Sequence, residues 1–467
     1  MTTTPRLTNP VVIALAGYLL AMPMLAPLTG SELSAYDAAR VVQLVLLPAI
    51  AALGVRAVIP ALPPGMRWAL LALSTLGLLS CAFAINNWMA LREFLNLAGL
   101  IAVGAILAAQ GRDTLAWLPK VAALAVMAYA VPVLSMAMIG ATQGLPLSAD
   151  LPLPGFANRR YFNHVQTVAL PLAAYGVLCF HSQLLRVLTG LGLLASMVLL
   201  WVTLGRGSLV GMAAASFVLG VLWVRGRREV RTQCLVLIGG LLIAAALSTL
   251  IQVFAASAAQ ESGLAREPPA AELSSDHSRF GLWQRAWDMA TASPWLGAGP
   301  MHYAYGHPDK AAHPHSLPLQ LIAEWGFPAT LLILVMWVYA MAAMARRLRT
   351  CAGRDFALGA SLLACWASVF VDSWFSGLWV MPVSQMWLAA LMGLSGAWLS
   401  QQNPPAASAA RRWSVLPLLL TGALLLHTLP ELIQLRAHLE SVKLNDGARP
   451  RFWFHGQFGP QTPPDRP

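Results

Sequence analysis

The sequence predicts an all-α integral membrane protein of about 12 transmembrane helices (12 or 13 by count), with one large outer loop containing short helices. Three observations predict it. Of 467 residues, 58% are hydrophobic and only 10% charged, where a soluble domain carries about 25% charged residues. The apolar residues fall in blocks of about 17 to 25, the length that crosses a bilayer as helix. Basic residues gather in a few of the connections between blocks, as they do where loops stay in the cytoplasm.

In chain order the candidate spans are 11–28, 41–59, 67–85, 94–110, 116–139, 164–181, 186–204, 207–224, 233–256, 317–343, 356–373, 377–400 and 413–429. The first follows a lone Arg6 and leads straight into further spans, which argues against a cleaved signal peptide. The chain then divides into 1–256, a transmembrane bundle of about nine spans with an outer loop at 140–163; 257–316, the large outer loop; 317–429, further transmembrane helices; and 430–467, a tail. Residues 447–467, rich in Pro, Gly and Arg, read as loosely attached. Twelve spans would leave the tail in the cytoplasm, thirteen outside. Glycine and alanine within the spans suit close helix packing in lipid. Five cysteines (Cys81, Cys179, Cys234, Cys351, Cys365) stand singly, without CxxC spacing, and are expected to be packing residues.

Net charge is +11, and its placement sets the topology. The clusters Arg225/Arg227/Arg228/Arg231, Arg346/Arg347/Arg349/Arg354 and Arg411/Arg412 are expected in the cytoplasm. Pairs of spans separate them, so 257–316 is expected outside, which in a Gram-negative cell means the periplasm. Arginines also occur on that outer side: Arg159 and Arg160, Arg206, Arg266, Arg279 and Arg285. A guanidinium fork matches phosphate oxygens in bidentate geometry, so these residues suit a phosphate or pyrophosphate at headgroup level. The alternative is interfacial snorkelling, or pairing with Glu272, Asp276 or Asp288. Arg206 sits between two glycines at a break between apolar runs, where a buried charge needs an anionic partner.

Two histidines, His313 and His315, stand where the outer loop re-enters the membrane. Imidazole titrates near neutrality, so His315 can take a proton from a hydroxyl at this boundary. Ahead of them, Phe280, Trp283, Trp287 and Ala290 recur at helical spacing and predict an amphipathic helix over 276–290, capped by Asp276 or Ser278, with its tryptophans at the membrane interface. Arg279 and Arg285 fall on different faces of it. His302 and His307 read as solvent-facing loop residues. A metal site is disfavoured: no Asp or Glu stands at ligand spacing, and Pro314 restricts the histidine loop. No cofactor is expected, since the chain has no P-loop, GxGxxG or DxD pair. Residues 155–166 mix amide, guanidinium and aromatic groups, including Asn163, and suit sugars and phosphates.

His315-Ser316, nine residues, then Gly326 resembles the histidine motif of O-antigen ligases and the related O-antigen polymerases and O-linking oligosaccharyltransferases. Gly205-Arg206-Gly207 is similar to the family's arginine–glycine at a span boundary. Arg279, Trp283, Arg285, Pro294, Gly297 and Gly299, and the segment from Asn158 to Asn163, have similar counterparts. Ala329 departs from the pattern, and the extra His313 leaves two histidines as the base. The resemblance implies a GT-C-like glycosyltransferase of the inner membrane with its active site facing the periplasm. It would transfer polysaccharide from undecaprenyl pyrophosphate to a sugar hydroxyl of lipid A-core in lipopolysaccharide biosynthesis, with inversion and without metal. It further implies catalytic roles for His315, Arg206 and Arg285, and contacts to pyrophosphate or glycan from Arg159, Arg160, Arg279, Asn163 and His313. Partners would be the lipid-linked glycan, lipid A-core and membrane lipids, with no nucleic acid. The compact chain favours a ligase; a polymerase or oligosaccharyltransferase is the near alternative. A flippase, the rival of another class, predicts charge through the midplane, whereas the spans are almost free of Asp, Glu and Lys.

Overall fold

A computed structural model describes residues 9–25, 33–57, 59, 62–142, 153, 155–261, 276–305, 311–400, 415–442 and 451–453. Among the described residues the secondary structure is helical, without strands. The helices are α1 (Pro10–Leu25), α2 (Ala35–Leu53), α3 (Pro64–Phe83), α4 (Asn87–Ala109), the single turn α5 (Arg112–Leu115), α6 (Leu118–Thr142), α7 (Arg159–Leu178), α8 (Gln183–Val202), α9 (Arg206–Val224), α10 (Arg231–Glu261), α11 (Asp276–Ala292), α12 (Leu317–Leu348), α13 (Gly353–Asp372), α14 (Pro382–Ser400) and α15 (Leu416–Val442). Arg266, His307, Arg411 and Arg412 lie outside the described residues.

Among the described residues, ten helices are long and apolar enough to cross a membrane, which makes this a multi-pass membrane protein. The other three that match apolar blocks are α1, with 16 residues, and α7 and α14. Helices α7 and α14 are buried along almost their whole length. Facing protein on all sides, they can carry polar groups such as Asn163, His164, Gln166 and Gln385 at no cost to lipid contact. Around them α4 packs on α14, α9 on α13, α6 on α7 and α8, and α15 on α2 and α4. Helices from late in the sequence thus insert among the early ones.

Contacts between helix ends fix their directions. At one end, Asn9 Nδ2 donates to Gln110 Oε1 (2.9 Å), joining the start of α1 to the end of α4. Asp355 and Arg347 pair at 3.4 Å there, and Arg112 also pairs with Asp355. This end carries Arg56, Arg67, Lys120, Arg186 and the 225–231 and 346–354 clusters. At the other end are the starts of α2, α4, α7, α9, α12 and α14. Helices α2, α4 and α7 have side-chain caps there: Ser34, Asn86 and Asn158 accept from Asp37 N, Met89 N and Arg160 N. The end of α15 also lies here, with His427 stacked on Trp88 and bonded to its carbonyl oxygen at 2.9 Å. Leaving aside α5 and α11, thirteen helices alternate, and the chain after α15 emerges at the end that holds the histidines.

That segment is not loosely attached where it is described. Arg451, Phe452 and Trp453 are all buried, inserted among α2, α4, α12 and α15. Paired arginine and aromatic groups explain the difference: Phe452 lies between the guanidinium groups of Arg40 and Arg92 at 4.8 and 4.4 Å. Trp453 Nε1 donates to Glu431 Oε2 at 2.6 Å.

Candidate functional site

The site is assembled by helix α12 and what docks on its first turns. Leu317 N–H donates to Ser373 O at 2.7 Å, pinning the start of α12 to the α13–α14 turn. After two and a half turns the helix breaks at Gly326, whose φ of +79° interrupts it. A Cβ there would meet Trp295 O at 2.5 Å, so this position needs glycine. The break frees carbonyl groups of α12 for the turn after α11: Ala298 N–H donates to Ala323 O (2.9 Å), Gly299 N–H to Glu324 O (3.1 Å), and Phe327 N–H to Pro294 O (2.9 Å). Gly297, at φ +68°, lies against the Glu324 backbone in the same seam. The spacing from His315 to Gly326 is therefore one short helical segment, gripped at both ends.

The histidine loop lies over this segment. Trp283 Nε1, on α11, donates to Pro314 O at 3.1 Å. His315 has φ +52°, a left-handed conformation that costs a residue with a Cβ about 1–3 kcal/mol. Its backbone N–H donates to His313 Nδ1 at 3.2 Å, and the two rings sit edge to face with centroids 4.1 Å apart. His313 is buried and His315 partly so. Burial, with the Arg160 and Arg279 cations adding, pulls His315 down to about 4. Burial also holds His313 well below the usual histidine range, with His315, Arg451, His164 and Arg160 contributing. Both rings are neutral at neutral pH.

Arg279 and Arg160 thus face the histidines from α11 and α7. Arg159 and Arg160 occupy the first turn of α7, and Arg206 the first position of α9. Arg206 is exposed rather than buried. Ahead of it, Leu204 has φ +51°. Asn163 is buried and braces this break: Thr203 Oγ1 donates to its Oδ1 (2.9 Å), and Ser208 Oγ to its carbonyl oxygen (3.0 Å). Arg285 is bound to the α12 seam, with Nη2 donating to Tyr303 O at 2.6 Å and the guanidinium 4.4 Å over the Tyr303 ring.

Several groups at this end were not singled out in the sequence. His164 Nδ1 stands 4.0 Å from Asp372 Oδ2, which accepts from Thr167 Oγ1 (3.1 Å) and Ser376 Oγ (2.9 Å). Glu324, fully buried, accepts from Tyr303 N–H at 3.1 Å and from Arg451 Nη2 at 2.5 Å. The available signal was ionisable residues inside apolar blocks, Glu324 and Asp372, or at the edge of one, Arg92-Glu93. His302 is buried, not solvent-facing, with Asn86 N–H donating to its Nε2 at 3.0 Å. Burial lowers its proton affinity. Three cysteines are buried, two are partly so, and all are free. Among the described residues, no three His, Cys, Asp or Glu side chains converge as a metal cage.

Fold and site together define a multi-pass helical membrane protein with neutral histidines beside an arginine-rich rim at one end. Residues 190–334, about a third of the chain, match the family model described as O-antigen ligase. The match runs from within α8 past the Gly326 break, and so takes in Arg206, Arg279, Arg285, His313 and His315. No curated protein matches the chain.

Proposed function

We propose that the protein is an O-antigen ligase with a GT-C-like fold, transferring a glycan from undecaprenyl pyrophosphate to a sugar hydroxyl of lipid A-core. It would act at the periplasmic face of a Gram-negative inner membrane, with inversion and without metal. The observation that carries this reading is the pair of neutral histidines flanked by Arg160 and Arg279, inside a segment that matches the family. The opposite end of the bundle holds the dense basic clusters, which the positive-inside bias assigns to the cytoplasm.

The leaving pyrophosphate needs charge stabilisation and positioning more than covalent help. The starts of α7 and α9 present positive helix ends together with Arg159, Arg160 and Arg206. A cation there opposes its own helix dipole, so an anion relieves both. Arg279 and Arg285 complete the rim from α11, and Asn163 holds the Arg206 turn in place. His315 is the base of choice over His313. The Nδ1 of His313 already accepts the His315 N–H, so its neutral ring carries the proton on Nε2 and has no free lone pair. The His315 ring is a weak base in the empty site. A bound pyrophosphate cancels the arginine charges and strengthens it at the moment of use.

The test is transfer by purified protein from lipid-linked glycan to lipid A-core in EDTA. Ligated lipid A-core is expected, and lengthened lipid-linked glycan instead would make it a polymerase. His315→Ala is expected to lower the rate about 10²- to 10⁴-fold with folding intact. Undiminished transfer by that variant would remove His315 as the base. Arg206→Lys, which keeps charge but loses the fork, is expected to transfer more slowly.

A further inference from the structure

We infer that Arg451 is a positioning residue for this transfer site, carried by a C-terminal strap that holds the supports of Arg285 and His313 at a fixed separation. The inference rests on the reading above and adds a part of the chain outside the family match.

The strap is anchored independently of what Arg451 reaches. Phe452 is clamped between two guanidinium groups, and Trp453 is bonded to Glu431. Arg40 Nε donates to Phe452 O at 2.9 Å, and Tyr36 OH donates to Arg451 O. From this fixed base the Arg451 side chain spans two supports. Nη2 binds Glu324 Oε2 at 2.5 Å and stands 4.0 Å from Glu93 Oε1. Nη1 donates to Ala312 O at 3.5 Å, one residue before His313. The other oxygen of Glu324 takes the Tyr303 N–H, and Tyr303 O takes Arg285. One guanidinium therefore joins the histidine loop to the seat of Arg285. Buried ion pairs surround it: Arg92 pairs with Glu431, and Arg451 with Glu324 and, at 4.0 Å, Glu93. A purely neutralising cation would need to touch only the carboxylates; the contact to Ala312 O is what positioning requires.

Full-length Arg451→Gln, Arg451→Lys and Glu324→Gln/Arg451→Gln are compared with wild type in two measurements. These are kcat and KM for glycan transfer, and hydrogen exchange at residues 311–316. Misplacing groups by about 1 Å costs about 10²-fold in rate. Arg451→Gln is expected to lose about that much in kcat, with KM little changed and exchange at 311–316 faster. Lysine keeps the charge but cannot bridge both supports, so Arg451→Lys is expected to fold normally and remain slow. The double variant removes the stranded carboxylate and is expected to regain thermal stability without regaining kcat. Wild-type kcat in the double variant would overturn the inference, since Arg451 would then only neutralise Glu324. Wild-type exchange at 311–316 in Arg451→Lys and the double variant would overturn it as well. If wild type transfers nothing, the ligase reading falls by itself, and exchange still decides the strap.

Discussion

His315 is held as a weak base by its immediate surroundings. Burial lowers it to about 4, and Arg160 and Arg279 add to the shift. Against an unfolded value near 6.5, the unfolded chain takes up a proton that the native chain refuses. Native stability from this group is therefore complete above about 6.5 and is lost as pH falls towards 4. Activity follows the same sign. The acid limb of kcat/KM, which reports the empty site, is expected near 4, and Arg279→Gln should move it towards neutral pH. The limb of kcat should lie above that of kcat/KM, because bound pyrophosphate offsets the arginines. Coincident limbs in pH profiles of wild type and Arg279→Gln would count against the arginine–histidine coupling. Residue type and spacing made His315 and the rim arginines legible in the sequence. The tautomer of His313, and hence the choice between the two histidines, depends on one backbone hydrogen bond that no sequence pattern encodes.

Helix α12 is the element on which the site turns, and its break is where a single methyl group does most damage. Gly326→Ala places a Cβ at positive φ against Trp295 O, and is expected to cost about 1–3 kcal/mol or more. Transfer should fall with it, because the carbonyl groups that seat residues 297–299 close up again. A lowered melting temperature and lost transfer are the expected result; wild-type values for both would show that the break is not needed. At this scale apolar periodicity is a good guide: each of the thirteen blocks became a helix, and 276–290 became α11, with Phe280 and Trp287 exposed and Ala286 and Ala290 buried. What periodicity could not give is centrality. Helices α7 and α14 look like poorer membrane spans because they are wrapped by protein, and their polar residues are the ones that build the site. The buried ion pairs Arg92–Glu431 and Arg451–Glu324 were equally hidden, since their partners lie 339 and 127 residues apart in sequence.

For the whole molecule, alternating helices give two ends of different character. One holds the basic clusters; the other holds the histidines, the starts of α7 and α9, and Arg451–Trp453. Single cysteines replacing Phe280 and Arg228 in a cysteine-free background test this in intact cells. A membrane-impermeant thiol reagent is expected to reach position 280 from the periplasm and position 228 only after the inner membrane is opened; the reverse pattern would invert the proposed topology. Composition leaves the side of the C-terminal segment open between twelve and thirteen spans; among the described residues, Arg451–Trp453 lie at the same end of the bundle as the histidines. The position of that segment also bears on biogenesis. Arg451–Trp453 follow every described helix in the chain, yet they fill the space between α2 and α4, which are among the first to be synthesised. The pair must wait with Arg40 and Arg92 facing an unfilled gap until α15 has been inserted and the segment after it has come through. Maturation of this protein in the membrane therefore finishes at the site, and a nascent chain halted before residue 451 holds every described helix without a finished histidine loop.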